Sequence, residues 1–140
     1  MPDAETTIGQ GDAALDQRLR DELEAFNTAA TPEVAPAQEL TVRMDEDGDL
    51  VAGASGWTWG RAAGIGLTWV RDDRRGDGVG AALIAAFEAA AQDRGCTHVF
   101  VTSFTFQAPA FYERLGYVEI FRWEAVPTPG RDDVHLRKEL

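Results

Sequence analysis

The chain has 140 residues, 44% of them hydrophobic and 26% charged, with a formal charge of −11. That supplies apolar material for one core in a single domain over residues 1–140 and rules out a disordered chain. So acidic a molecule is a poor binder of nucleic acid, whose backbone is held by Lys and Arg, and it favours a cationic or amine-bearing partner.

Residues 1–11 are short, polar and acidic and read as a loosely held leader. No basic-then-apolar signal opens the chain, and no run approaches the roughly 18 apolar residues of a membrane span. A cytoplasmic protein without membrane contact is therefore expected. From Asp12 to Phe26, Leu15, Leu19, Leu23 and Phe26 recur three or four apart, which puts them on one face of a helix. Asn27 and Thr28 are candidate terminators. Pro32 and Pro36 mark a connection, with a helical turn possible at Glu33 to Ala35.

Glu39 to Met44 and Leu50 to Thr58 read as strands of a hairpin, joined by the turn Asp45-Glu46-Asp47-Gly48-Asp49. Gly53 and Gly56 predict a bulge or a close backbone approach in the second strand. Gly60 to Gly64 turns the chain, and Ile65 to Val70 forms a third strand.

Four charged residues follow Val70, then glycines at alternate positions, and then a 3.6-residue period from Ala81 to Arg94. Val79, Leu83, Ala86, Phe87 and Ala90 are its expected buried stripe, and Gly95 its C-cap. Cys96 is the only cysteine, so no intramolecular disulfide or cysteine metal cluster is possible. Its place beside Gly95 and an apolar strand predicts a buried structural thiol. Thr97 to Ser103 is a strand with Val99 and Val101 on one face. Ala108 to Leu115 is a short helix opened near Pro109 and stopped by Gly116. Tyr117 to Trp123 and Val134 to Leu140 are the last strands, separated by a loop at Pro127 to Arg131. The order gives a mixed α/β sheet, mostly antiparallel, with helices on both faces.

The junction Arg75-Gly76-Asp77-Gly78-Val79-Gly80 is the first candidate site. The first amides of a helix have no helical partner, and with the aligned peptide dipoles they form a pocket for a phosphate. Arg75, and Arg74 beside it, would add charge-assisted bonds. The spacing differs from the dinucleotide fingerprint, and no Gly-Lys-Ser/Thr follows as in a P-loop. The same glycines would also serve a plain solvated turn.

The second candidate is the stretch from Phe104 to Tyr117. Arg75-Gly76-Asp77-Gly78-Val79-Gly80 and the pattern Ala108, Phe111-Tyr112, Gly116-Tyr117, taken together, resemble the GCN5-related N-acetyltransferases. The resemblance runs from about Glu39 to Leu140 and includes the order of elements. It implies the acyl-CoA N-acyltransferase fold and transfer of acetyl from acetyl-CoA to a primary amine of a small molecule or peptide. It implies that the amides of Arg75, Gly76, Asp77, Gly78, Val79 and Gly80 hold the cofactor pyrophosphate. It further implies that Trp69, Val70 and Arg71 pair with the pantetheine arm, where this strand and the strand of Val99 splay apart. Tyr112 falls at the position that points to the cofactor sulfur. Where the family often has an Asn, this chain has Phe106-Gln107, which makes Gln107 the nearest replacement. A homodimer is a further possibility the resemblance raises.

Such parts suit direct attack of a neutral amine on the thioester. A backbone N–H near Val70 or Arg71 would polarise the carbonyl, and Tyr112 would protonate the departing thiolate. A general base is not evident: His98 and His135 read as packed histidines, and Glu39 and Asp45, on or near the first hairpin, are candidates to bind or deprotonate an amine through water. Trp57, Phe104 and Phe106 read as core or dimer contacts, and Trp59 as an acceptor-side residue. No metal-ligand spacing is present. The alternative to an enzyme is a non-catalytic CoA-binding or regulatory module.

Overall fold

Asp12 accepts the N–H of Leu15 on Oδ1 at 2.9 Å and so starts helix α1, Ala13–Ala30. The structure, a computed structural model, describes residues 4–140 and falls into two units, one ending at Pro36 and the other spanning Ala37–Leu140. In the first unit α1 runs past Asn27 and Thr28, because Ala29 and Ala30 are good helix formers. It stops at Thr31, which precedes Pro32 and takes a non-helical conformation; the Thr31 N–H and hydroxyl both donate to Asn27 O, at 2.8 and 2.6 Å. Leu15, Leu19, Leu23 and Phe26 are each half or more exposed. Beyond α1, the N–H of Val34 closes a single turn on Thr31 O, in place of a helical one.

The second unit is a six-stranded sheet of strands β1 (Gln38–Glu46), β2 (Asp49–Trp59), β3 (Ala62–Val70), β4 (His98–Phe104), β5 (Val118–Trp123) and β6 (Asp133–Glu139). Their order is β1-β2-β3-β4-β6-β5. All pairs are antiparallel except β3 with β4. The β1–β2 turn contracts to Asp47-Gly48, both at positive φ (52° and 85°), as a two-residue hairpin of right-handed strands requires. Asp45 and Glu46 therefore join the strand. β3 begins earlier than expected because Gly64 is a strand residue rather than a turn residue. The indole of Trp57 lies over it, and a Cβ there would come within 2.4 Å of the ring. Gly56 makes the expected close approach: its Cβ would meet Gly64 O at 1.9 Å, next to a register shift at Ser55/Gly56.

Helices α2 (Val79–Asp93) and α3 (Pro109–Arg114) are the crossovers from β3 to β4 and from β4 to β5. Both crossovers step in the same direction across the sheet, so a common right-handed turn lays both helices on one face. That face holds the core of Leu40, Ala52, Ala54, Ala63, Ile65, Val99, Val101, Val134 and Leu136. The buried stripe of α2 is Leu83, Ile84, Phe87 and Ala91; Ala86, expected in the stripe, is exposed. Both helices end in the same device. Gly95 (φ 90°) donates to Gln92 O and Cys96 to Ala91 O; Gly116 (φ 98°) donates to Glu113 O and Tyr117 to Tyr112 O. Cys96 is thereby buried, and burial pushes its thiol pKa up.

The other face of the sheet carries Trp57, Trp59, Leu67, Trp69, Phe100, Phe121 and Trp123, all at least one-third exposed. The core placement expected for Trp57 does not hold: the pleat directs it to the face opposite α2. Phe106 is likewise 52% exposed and stacks on Phe104 at 5.4 Å.

Candidate active site

β3 and β4 stay in register only from Ala62/His98 to Ile65/Val101. Beyond that point β3 continues to Val70 and β4 to Phe104 without pairing, which opens a gap between two strand edges. The cause lies in the next pair of strands. A register shift between β2 and β3 at Ser55/Gly56 leaves Gly66 without a partner and bends β3 away.

The edge that β3 presents to this gap follows from its hydrogen bonds. The N–H of Arg71 donates to Val51 O at 2.8 Å. Since an antiparallel ladder alternates, Trp69 and Arg71 direct their peptide groups to β2, whereas Thr68 and Val70 direct theirs to the gap. Val70 O accepts Arg75 Nε at 3.0 Å. Among Trp69, Val70 and Arg71, Val70 is thus the residue whose backbone faces the gap. The Trp69 side chain lies on the open face, in a groove of about 590 Å³ that Leu67, Ser55 and Arg43 also line.

At the mouth of the gap the chain forms a 3₁₀ turn, Asp72–Arg74, and then the glycine loop. Gly76 and Gly78 have φ of 82° and 80°, conformations that favour glycine, and Gly78 is the N-cap of α2. No side chain caps the helix, so the amides of Val79, Gly80 and Ala81 point out of its first turn. Gly80 has a packing role as well: a Cβ there would lie 3.1 Å from the ring of Phe111. Each loop arginine is held by a carboxylate, three arginines against four acids. Arg71 bonds Asp73 (2.9 Å), Arg75 bonds Asp72 (2.6 Å), and Arg74 bonds Glu46 and faces Asp77 (3.6 Å). The Arg71 guanidinium holds the Asp73 carboxyl below its usual range. Backbone amides and the helix dipole are therefore the attraction for an anion that no carboxylate takes up here.

α3 brings Tyr112 to the covered side of the gap. Its ring is 5% exposed and packs edge-on against Phe111 (5.1 Å) and Tyr117 (5.6 Å). Burial raises its pKa above the usual 10, partly offset by the nearby Thr68 hydroxyl. The Thr68 Oγ1 is itself shut off from solvent without a hydrogen bond of ordinary geometry. A phenol in this setting keeps its proton at neutral pH and can give it up. Gln107 is occupied locally: its Oε1 accepts the Phe104 N–H at 2.8 Å, closing the turn into α3.

His98 lies at the closed end of the gap, in register with Ala62, bonded to Thr97 (2.9 Å) and near Glu139 (3.4 Å). Trp59, Arg61, Phe100 and Arg137 share that end of the open face. Glu39 and Asp45 sit on β1, two strands from the gap, and Asp45 pairs with Arg43. Two arrangements were not legible as constellations. Tyr117 Oη donates to Glu88 at 3.0 Å while Lys138 Nζ bonds the other carboxylate oxygen at 3.0 Å, tying α2, the turn between α3 and β5, and β6 together. His135 bonds Asp133 beside β4. The only signal for it was the Asp-x-His spacing, which a strand turns into one face. Among the described residues no group of three or more His, Cys, Asp or Glu could hold a metal ion, and no helix is long and apolar enough to cross a membrane.

The model of the "Acetyltransferase (GNAT) family" matches residues 10–117. The chain is 37% identical over 100 residues to the blasticidin-S acetyltransferase of Streptomyces morookaense, covering 68% of this chain and 71% of that protein. It is 30% identical over 115 residues to an acetyltransferase of Agrobacterium fabrum, covering 78% and 80%. An acetyltransferase crystal structure from Bacillus cereus superposes with a TM-score of 0.78 at 27% identity, covering 96% of this chain and 98% of that one.

Proposed function

The chain belongs to the acetyltransferase (GNAT) family, whose members use acetyl-CoA, and it is an N-acetyltransferase; from that premise we propose that its acceptor is the primary amine of a small cationic molecule. The same reading puts the enzyme in the cytoplasm, where a buried, unpaired thiol stays reduced. The observation that carries the reading is the gap between β3 and β4, with an uncapped helix start at its mouth and a protonated phenol along its covered side.

The residues fit the cofactor. The amides of Gly76 to Gly80 would hold the pyrophosphate, with Arg75 exchanging Asp72 for a phosphate oxygen. The backbone of Val70, with that of Thr68, would pair with the pantetheine arm, and one of their N–H groups would polarise the thioester carbonyl. Tyr112 would protonate the thiolate as it leaves. Binding both reactants side by side supplies most of the acceleration. The molecule's charge of −11 and the aromatic open face favour a cationic acceptor.

The test is CoA release from acetyl-CoA in the presence of single amines: blasticidin S, a polyamine, an aminoglycoside and a basic peptide. Turnover of one or more of the small cations is expected, because a 37% identical relative is a blasticidin-S acetyltransferase. Turnover of the peptide alone would overturn the small-molecule reading.

A further inference from the structure

The mechanism so far has an acid, Tyr112, and no group to take the proton that a cationic amine must lose. The open face of the sheet offers one. His135 lies on β6 between Val134 and Leu136, whose side chains are 0% and 1% exposed in the core. The two-residue period of a strand therefore sends His135 to the opposite, open face, together with Asp133. His135 Nε2 is 3.0 Å from Asp133 Oδ2. A carboxylate only accepts, so Nε2 carries the hydrogen and Nδ1 is left as the basic nitrogen. The other oxygen, Asp133 Oδ1, is buried with no partner, which commits this carboxylate to the imidazole. From β5 the Phe121 ring packs edge-on to His135 at 5.6 Å, and Trp123 backs Phe121 at 4.9 Å. The ring is thus braced on two sides while its side chain remains 32% exposed.

Register fixes where this pair stands relative to the gap. His135 is directly opposite Thr102 of β4, and Thr102 is the first residue of β4 beyond its last pairing with β3, at Val101. Thr102 is exposed on the same open face. His135 is therefore one strand spacing, about 4.8 Å, from the strand that borders the gap. It stands at the level where the gap begins. Thr68, beside Tyr112, borders the gap at nearly the same level from the β3 side. An imidazole here stands on the open face beside the start of the gap.

We propose that His135, oriented by Asp133, is the general base for the acceptor amine, acting from the sheet face opposite Tyr112. This rests on the direct-transfer reading above. The ammonium form of the acceptor gives one proton to His135 Nδ1, through water. The neutral amine then attacks the thioester carbon; the N–C bond forms, the C–S bond breaks, and the thiolate takes the Tyr112 proton. One of the two N–H protons of the adduct returns through solvent to the Tyr112 phenolate, the other stays in the amide, and His135 releases its own proton on its exposed side. Products are the acetamide, free CoA and one proton. The charged groups near His135 are few. Asp133 and Arg137 share its face of β6. Its β4 neighbours on that face, Phe100, Thr102 and Phe104, are uncharged, as are Val118, Phe121 and Trp123 of β5. Glu119 and Arg122 of β5 stand opposite Leu136 and Val134. His135 acts in its base form.

The experiment compares wild type, His135→Ala and Asp133→Asn across pH with the best amine of the CoA-release set, alongside acetyl-CoA affinity by calorimetry and thermal midpoints. His135→Ala is expected to lower kcat about 100-fold near neutral pH, Asp133→Asn about tenfold. Acetyl-CoA affinity should stay within about twofold of wild type, as neither residue touches the donor side of the gap. The acid limb should shift to that of the amine itself, and added imidazole should restore part of the His135→Ala rate. A His135→Ala enzyme with the wild-type pH profile, or one that imidazole does not rescue, overturns the assignment alone. Failure of the wild type on every amine, with acetyl-CoA still bound, overturns the reading on which it rests as well.

Discussion

At the scale of single residues, Tyr112 is the side chain whose chemistry depends most on its surroundings. Its phenol is nearly fully buried against Phe111 and Tyr117, and burial holds its pKa above 10. In the proposed acid role it works while protonated, so on the alkaline side activity should persist through neutral pH and fall only above pH 10. Tyr112→Phe removes the proton donor and keeps the ring. We expect kcat to fall about 10- to 100-fold with acetyl-CoA affinity little changed, as read by CoA release and calorimetry. An unchanged kcat would remove Tyr112 from the acid role. The position was legible in the sequence because Phe111-Tyr112 and Gly116-Tyr117 form a local pattern. Thr68 was not, because a hydroxyl on a strand gives no sign of which helix residue it meets. Gln107 shows the converse: a residue expected at the cofactor closes its own turn, as short polar segments before helices commonly do.

Among the elements, the loop into α2 separates local conformation from function. Gly78 and Gly48 have nearly equal positive φ, 80° and 85°, and a Cβ at either would meet nothing within 4 Å. Gly78→Ala and Gly48→Ala should therefore cost about the same stability, on the order of 1–2 kcal/mol for a left-handed alanine. Only Gly78→Ala disturbs the amides at the start of α2, and it should weaken acetyl-CoA binding about tenfold, whereas Gly48→Ala leaves it as it was. Calorimetry on both variants decides the point; equal affinities would assign the loop glycines to the turn alone. The helix termini were the most legible features of the chain. Gly95 and Gly116 end their helices as the sequence indicates, since a C-terminal glycine acts within one turn. Strand starts were less legible. Gly64 resembles a turn glycine, yet it lies in β3 because Trp57, seven residues earlier, needs the space above it.

For the whole molecule, the buried phenols set the alkaline limit of stability. Tyr117, 2% exposed and bonded to Glu88, has its pKa driven well above 10 by burial and then by that carboxylate, and Tyr112 shifts the same way. Above pH 10 the unfolded chain releases protons that the folded chain keeps, so stability is present below pH 10 and declines as pH rises. Thermal midpoints measured from pH 8 to 11 should drop above 10, and the drop should be shallower in Tyr117→Phe; an equally steep drop would acquit Tyr117. The sequence by itself determined the helices, the hairpin, the glycine loop and the family. These depend on periodicity, turn chemistry and motifs spanning fewer than about 15 residues, where each residue's partner is a near neighbour. The tertiary structure decided what depends on pairing between distant segments. It set the gap between β3 and β4, which follows from a bulge against β2. It gave the gap edge to Thr68 and Val70 rather than Trp69 and Arg71, because ladder parity is set by the partner strand. It also brought His135 and Asp133 beside Thr102, through a register between strands some thirty residues apart that no local pattern encodes.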